Sequence, residues 1–187
     1  MIDPQSRIVL IGYRGTGKTT AGRLLAAQLH REFVDADELL EQQLGRTIGD
    51  IFVNDGEEAF RDHESDVLRK ILADAAYATA VVAAGGGAVI RPENRVLLKS
   101  AGLIVHLTAD AATILERLQG DPTTSDRRPQ LTDLPAADEI EELLILRQPW
   151  YAEIAALNLT TVGRSPEQVA ARILTEWPSL EASAKAS

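Results

Sequence analysis

Apolar residues alternate along the chain between short unbroken runs and helically spaced sets. Ile8-Val9-Leu10-Ile11 and Ala80-Val81-Val82-Ala83-Ala84 are uninterrupted, as expected for strands buried on both faces of a parallel sheet, and Leu103 to Leu107 is a fourth strand. Glu32-Phe33-Val34-Asp35 and Leu157 to Val162 supply a second and a fifth strand. Helical patterns lie between them. Ala21, Leu24, Leu25 and Leu29 mark the first, and Asp37 to Leu44 the second, ending near Gly45. Thr47-Ile48-Gly49-Asp50 has the form of a capping box with Asp in place of Glu. From Gly56 a longer helix presents Ala59, Phe60, His63, Val67, Ile71 and Leu72 on one face. Pro92 and Gly102 bracket another, and Asp110 can cap the helix carrying Ile114, Leu115 and Leu118. Ala136 to Gln148 forms a further helix, with Pro149-Trp150 expected to fix a bend after it, and Ser165-Pro166-Glu167 opens the last. Such alternation predicts an α/β fold in three layers, a five-stranded parallel sheet with helices on both faces.

The 187 residues, 45% of them hydrophobic, suffice for one buried core. Residues 1–178 are therefore expected to form a single domain, with 179–187 fraying after Pro178. Residues 119–135 break the pattern, being polar and holding Pro122, Pro129, Pro135 and the pair Arg127-Arg128. A loop of that length inside a compact domain is usually functional or disordered. No apolar run approaches the ~20 residues of a membrane span, and Met1-Ile2-Asp3-Pro4 lacks the pattern of a signal peptide. With no cysteine for a disulfide or thiolate site, the expectation is a soluble cytoplasmic protein with no membrane partner. His30, His63 and His106 show no metal-ligand spacing. The net charge of −9 argues against nucleic acid as a partner. It also makes each arginine informative, because an acidic protein that binds anions must gather positive charge locally.

Gly12-Tyr13-Arg14-Gly15-Thr16-Gly17-Lys18-Thr19 reads G-x-x-x-x-G-K-T between the first strand and the first helix. Glycines there let the backbone turn and aim N–H groups inward, and the helix N-terminus adds partial positive charge. Gly12, Gly15, Thr16, Gly17, Lys18, Thr19 and Thr20 thus form a cradle for nucleotide phosphates. Lys18 would reach the β- and γ-phosphates, and the Thr19 hydroxyl would coordinate Mg²⁺. Lys18 is expected to be exposed when no nucleotide is bound. Arg14 either adds a phosphate contact or is solvated.

Three further constellations narrow the chemistry. Asp35-Ala-Asp37 ends the second strand; residues two apart on a strand face one way, and two close carboxylates need a cation or a hydroxyl between them. The alternative is that Asp37 caps the next helix. In Gly56-Glu57-Glu58-Ala59-Phe60-Arg61-Asp62-His63-Glu64, Arg61 sits near a helix start, where the dipole disfavours a cation. It reads as an anion ligand or as a surface arginine paired with Glu57 or Glu58. Gly85-Gly86-Gly87 closes a central strand, where ligands of open α/β sheets bind and where glycine permits close approach.

In order, these motifs resemble the shikimate kinase family, over about Arg7 to Leu174. To the P-loop, D-x-D, G-E-x-x-F-R-x-x-E and G-G-G are added Arg128-Pro129-Gln130-Leu131, similar to the family's R-P-x-L lid, and Arg147 to Tyr151, its R-x-x-x-Y. The resemblance implies a nucleoside-monophosphate-kinase-like sheet ordered 2-3-1-4-5, a mobile lid at about 119–135, and ATP-dependent phosphorylation of the 3-hydroxyl of shikimate on the route to chorismate and the aromatic amino acids. It assigns Asp37 as base, Asp35 with Thr19 as the Mg²⁺ residues, and Arg61 and Arg147 as the grip on the shikimate carboxylate. Gly85, Gly86 and Gly87 would line that pocket, Lys18 and Arg128 would meet the transferring phosphoryl group, and the chain would act as a monomer. Arg117 or Arg127 would contact adenine, since Gln119-Gly120 replace the family's basic pair. A gluconate-type or nucleotide kinase accounts for the P-loop and lid but not for Arg61, Gly85 to Gly87 and Arg147 together. A nucleotide-dependent switch lacks its D-x-x-G and N-K-x-D here.

Overall fold

A computed structural model describes residues 6–120 and 135–184, with side chains only as far as 177. In chain order the elements are β1 (Ile8–Ile11), α1 (Lys18–Leu29), β2 (Phe33–Asp35), α2 (Ala36–Leu44), α3 (Ile48–Asn54), α4 (Gly56–Ala73), β3 (Val81–Ala83), α5 (Pro92–Lys99), β4 (Leu103–Thr108), α6 (Ala111–Gly120), α7 (Ala136–Ile154), β5 (Leu157–Thr160) and α8 (Pro166–Ala184). The strands form one parallel sheet in the order β2-β3-β1-β4-β5, as the resemblance implied. Among the described residues no helix is long and apolar enough to cross a membrane.

Side-chain alternation along β1 sorts the core into two halves. Ile8 and Leu10 pack with Ala21 and Leu25 of α1 and with Val169, Ala170 and Ile173 of α8. Val9 and Ile11 face the other way, onto Phe60, Val67 and Ile71 of α4, Leu98 of α5 and Tyr151 of α7. Helices therefore cover both faces, which is why the inner strands read as continuous apolar runs rather than as alternating ones. From β1 the chain first builds β2 and β3 on one side and then crosses to β4 and β5 on the other. The carboxyl end of β1 is therefore the point where the winding reverses, and a ligand crevice opens there.

Local signals hold at most element ends. Thr47 and Asp50 form the reciprocal capping box over α3, and the Asp110 carboxylate accepts from the Thr113 N–H at the start of α6. Two boundaries differ from expectation. Helix α7 does not stop at Gln148 but continues through Pro149 to Ile154. Proline removes the bond to the Ile145 carbonyl, but Ile145 is on the exposed side (69% exposed), while Tyr151 and Ile154 are buried and hold the last turn down. Helix α8 likewise runs past Pro178 to Ala184.

Arg7, buried just before β1, donates from Nε to the Tyr77 carbonyl at 2.8 Å and from a terminal nitrogen to Ile71 O at 3.3 Å. These carbonyls lie at and just beyond the end of α4, where the helix dipole welcomes a cation. The clamp fixes the helix that carries Arg61.

His106 on β4 is buried, bonded through Nδ1 to Asn158 Oδ1 at 2.9 Å, and stacked on Tyr151 with ring centroids 4.3 Å apart. Burial, with the nearby Lys18 charge, lowers its pKa from the ordinary 6.5. A histidine held neutral stabilises the fold fully above its unfolded pKa, and that contribution is lost as pH falls toward the folded value. The unfolding free energy from urea titrations should therefore drop between about pH 7.5 and pH 5.5, and His106→Leu should flatten that drop. An unchanged pH slope in the variant would assign the acid sensitivity elsewhere.

Candidate active site

The loop after β1 is built on a single carbonyl. Tyr13 O accepts from Thr16 N at 3.3 Å, Thr16 Oγ1 at 2.7 Å and Lys18 Nζ at 2.9 Å. Gly15 and Gly17 take φ of 76° and 88°, left-handed values that other residues rarely adopt. Lys18 is not exposed, contrary to expectation. It is 9% exposed, and Nζ also bonds the Gly12 carbonyl at 2.8 Å. An ammonium with three donors beside two converging carbonyls is best satisfied by folding onto them.

Asp35 and Asp37 do converge on one cavity, but not by strand alternation. Asp35 is the last residue of β2 and the N-cap of α2, and Asp37 already lies in the first helical turn. The capping role considered for Asp37 belongs to Asp35, whose Oδ1 accepts from the backbone N–H of Asp37 and of Glu38. Its Oδ2 accepts from Thr19 Oγ1 at 2.7 Å. Burial, then the Asp37 charge, raises the Asp35 pKa despite the Thr19 hydrogen bond.

A cavity of about 530 Å³ gathers Gly15, Gly17, Lys18, Thr19, Thr20, Asp35, Asp37 and Gly86 with Arg14. Its far end is walled by Arg117, Leu118, Thr161, Arg164, Pro166 and Val169. Arg117 is held there by bonds to Gly15 O at 3.1 Å, Thr161 Oγ1 at 2.9 Å and Thr161 O at 3.0 Å. Gly12 and Thr16 shape the loop behind this wall rather than lining it. Arg14 is neither purely solvated nor committed to phosphate. One of its terminal nitrogens lies 3.9 Å from the buried Glu139 carboxylate.

Beside the cavity, the three glycines after β3 leave room that side chains there would occupy. A Cβ on Gly85 would meet Asp37 Oδ1 at 2.7 Å and collide with Glu64, one on Gly86 would meet the Arg14 amide nitrogen at 3.1 Å, and one on Gly87 would fall on the Arg61 guanidinium. Arg61 is buried, with Nε and one terminal nitrogen on Glu57 and the other on Glu64 Oε2 at 2.8 Å. Burial works against its charge, but Glu64 and Glu57 outweigh that and raise its pKa. Of the two surface partners expected, only Glu57 is used, since Glu58 pairs with Arg91. Arg147 is equally buried (4% exposed). It donates to Gly86 O at 3.1 Å, while its Nε is buried with no hydrogen-bond partner. Tyr151 donates to the same carbonyl at 2.9 Å, and burial, opposed by Arg147, pushes its hydroxyl pKa up to about 12. Arg127 and Arg128 lie outside the described residues.

Residue reasoning gave no role to Glu64, Glu139, Tyr151 or the Tyr13 ring. Glu64 was legible as the i+3 neighbour of Arg61 on one helix. Tyr151 was marked only as the end of the R-x-x-x-Y motif, while Glu139 and the Tyr13 ring act across elements distant in sequence and carried no local signal.

A doubly wound sheet with a phosphate loop at its switch point, a paired-carboxylate wall and two buried arginines defines a P-loop kinase of a small anionic substrate. The shikimate kinase family model matches residues 14–178. The shikimate kinase of Symbiobacterium thermophilum is 42% identical over 167 residues, 89% of this chain and 93% of the relative. That of Thioalkalivibrio sulfidiphilus is 44% identical over 170 residues, 90% of this chain and 85% of the relative. The structure of the Acinetobacter baumannii shikimate kinase in complex with shikimate superposes with a TM-score of 0.86 at 34% identity, covering 95% of this chain and 96% of that one. A gluconokinase from Sinorhizobium meliloti shares the fold alone, with a TM-score of 0.58 at 16% identity. This chain belongs to the shikimate kinase family, transferases that phosphorylate shikimate with ATP.

The raised Asp35 pKa yields a stability prediction. The fold disfavours the ionised carboxylate, so a neutral amide that keeps the cap acceptor should relieve the cost. Asp35→Asn is expected to raise the thermal midpoint near pH 7.5 by about 2 °C or more in scanning calorimetry. A lower midpoint would show that the hydrogen bonds to Asp35 outweigh its electrostatic cost.

Proposed function

We propose that Arg61 and Arg147 grip the shikimate carboxylate beside the phosphate cradle and thereby present the 3-hydroxyl to ATP. The carrying observation is that two buried guanidiniums converge on neighbouring glycines, Gly87 and Gly86, next to Asp37. A planar fork suits a carboxylate, and Arg147 still has a buried donor to offer. For Arg61 the exchangeable partner is Glu57, 50% exposed, whereas Glu64 is buried and stays. Gly85, Gly86 and Gly87 line the pocket through their backbone.

In the transfer, the 3-oxygen forms a bond to the γ-phosphorus while the bond to the β–γ bridging oxygen breaks, releasing ADP. Asp37 accepts the hydroxyl proton. Lys18 gives up its loop carbonyls for the phosphates, with Gly12, Gly15, Thr16, Gly17, Thr19 and Thr20 cradling them. Arg128, on the proposed lid of residues 119–135, adds charge to the transferring group. Such transfer is mainly positioning and charge neutralisation, so the cations outweigh the base.

The oxygen donors Thr19 and Asp35 suit Mg²⁺, and a cation there would offset both the burial and the neighbouring Asp37 charge that raise the Asp35 pKa. Among the described residues no cluster of three or more His, Cys, Asp or Glu could hold a metal, in keeping with an ion that arrives with the nucleotide. When bound, it neutralises charge on the β- and γ-phosphates. The far end of the cavity, with Arg117 and Pro166, supports an adenine site. The chain would work as a cytoplasmic monomer made of one domain.

Purified protein should convert ATP and shikimate to ADP and shikimate 3-phosphate only with Mg²⁺. Phosphorylation of gluconate or a nucleotide, with shikimate untouched, would sink the reading.

Hydrogen bonds to charged groups contribute roughly 1.5–3 kcal/mol, so Arg61→Lys and Arg147→Lys should each weaken shikimate binding by about 10- to 100-fold. ADP affinity should hold, and the two losses should not add. Calorimetric titration of each variant with each ligand decides it, and equal losses for both ligands would remove the carboxylate clamp.

Gly87→Ala should act like them. The group its Cβ would strike is the far end of the Arg61 side chain, so Arg61 moves while the fold survives. Its shikimate affinity should fall at a near wild-type midpoint; a collapsed midpoint would make Gly87 a folding residue.

A further inference from the structure

The P-loop and the carboxylate-binding arginine meet on one aromatic ring. Tyr13, the second residue of the loop, is only 2% exposed. Its ring packs with Ile114 of α6 and Ile140 of α7. The Arg147 guanidinium carbon lies 5.4 Å from the ring centroid, and that of Arg14 5.8 Å. Both are within the ~6 Å over which a ring face attracts a cation. The backbone of the same residue is the carbonyl that collects Thr16 and Lys18.

Arg147 needs such a support. Its side chain is buried, its Nε has no hydrogen-bond partner, and its polar contacts are the Gly86 carbonyl at 3.1 Å and the neighbouring Tyr151 hydroxyl, both toward one edge of the glycine turn. A ring face constrains the plane of the fork, and in a water-poor site the attraction is stronger than at a surface. Neither the G-x-x-x-x-G-K-T pattern nor the D-x-D, Arg61 and tri-glycine motifs specify an aromatic residue at position 13.

We propose that Tyr13 is a positioning residue that holds Arg147 for the substrate carboxylate and ties that grip to the phosphate loop, so each ligand's binding is felt at the other site. The inference rests on Arg147 being a carboxylate ligand. When phosphates draw Lys18 off the Tyr13 carbonyl, the loop residue that carries the ring is released from one of its constraints. Any resulting shift reaches Arg147 through direct contact. The coupling must be reciprocal, because it is a free energy shared by the two binding steps.

Tyr13→Phe keeps the ring, whereas Tyr13→Leu and Tyr13→Met keep an apolar side chain without it. Shikimate and ADP are titrated calorimetrically into each variant and into wild type, each ligand alone and in the presence of the other. The leucine and methionine variants are expected to lose about 2- to 30-fold in shikimate affinity, the range of one cation–π contact, with ADP affinity within about 2-fold of wild type. Any ratio between shikimate affinities with and without ADP should shrink toward one, and Tyr13→Phe should behave as wild type. Combined with Arg147→Lys, Tyr13→Leu should add little further loss, as for two residues acting on one contact.

Equal losses for both ligands, or additive losses with Arg147→Lys, would reduce Tyr13 to a core residue and overturn the proposal, as would wild-type shikimate affinity in folded Tyr13→Leu. Failure of Tyr13→Leu to fold passes the decision to Tyr13→Met, and failure of both, with Tyr13→Phe folded, would likewise make the ring a folding element. Wild type that does not bind shikimate at all would instead fault the carboxylate reading.

Discussion

Charged side chains packed against backbone that has no side chain of its own hold this site together. At Gly85 and Gly87, Asp37, Glu64 and Arg61 come closer than a Cβ would permit, and at Gly86 the main chain of Arg14 would be crowded by one. Arg147 and Tyr151 meet on one carbonyl there. These groups come from four stretches of chain besides the glycines: α2, α4, the phosphate loop and α7. Close approach at the tri-glycine turn is what converts five separate elements into one pocket.

That arrangement is costly, and the cost explains its composition. Burying a guanidinium without a counter-charge is prohibitive, and Arg61 is matched by Glu64 in the interior and by Glu57 at the rim. Buried pairs of this kind offset their own desolvation at best, so their presence argues for a task other than stability. Asp35 makes the same point in the opposite sign, as a carboxylate kept beside Asp37 against its own preference. An acidic chain thus gathers buried cations and paired carboxylates around one glycine turn.

Much of this was legible in the sequence wherever one element sufficed to define a feature. The strand, glycine loop and helix around Lys18 follow from local periodicity, and the Thr47–Asp50 box follows from four residues. Reasoning went astray where a residue changed element. Asp37 was placed either at the strand end or as the helix cap, whereas Asp35 is the cap, because two residues cannot reveal where β2 stops. Pro149 looked like a helix end, but burial of Tyr151 and Ile154 on the sheet overrides the missing hydrogen bond. Lys18 looked solvated because its partners are carbonyls of its own loop, invisible until the loop is folded. The Tyr13 ring and Glu139 contacts join residues over a hundred positions apart, and no window along the chain contains both ends.

The Arg7 clamp makes α4 a rigid rod pinned at one end. Ten residues separate Ile71, whose carbonyl Arg7 holds, from Arg61, which at helical rise is about 15 Å. A helix does not compress over that length, so a small tilt where Arg7 grips is carried forward to the Arg61 guanidinium beside the tri-glycine turn. Substitutions at the amino edge of the sheet, remote from the cavity, would then displace that guanidinium without touching it. Here the boundary between scaffold and site is set by stiffness and not by distance.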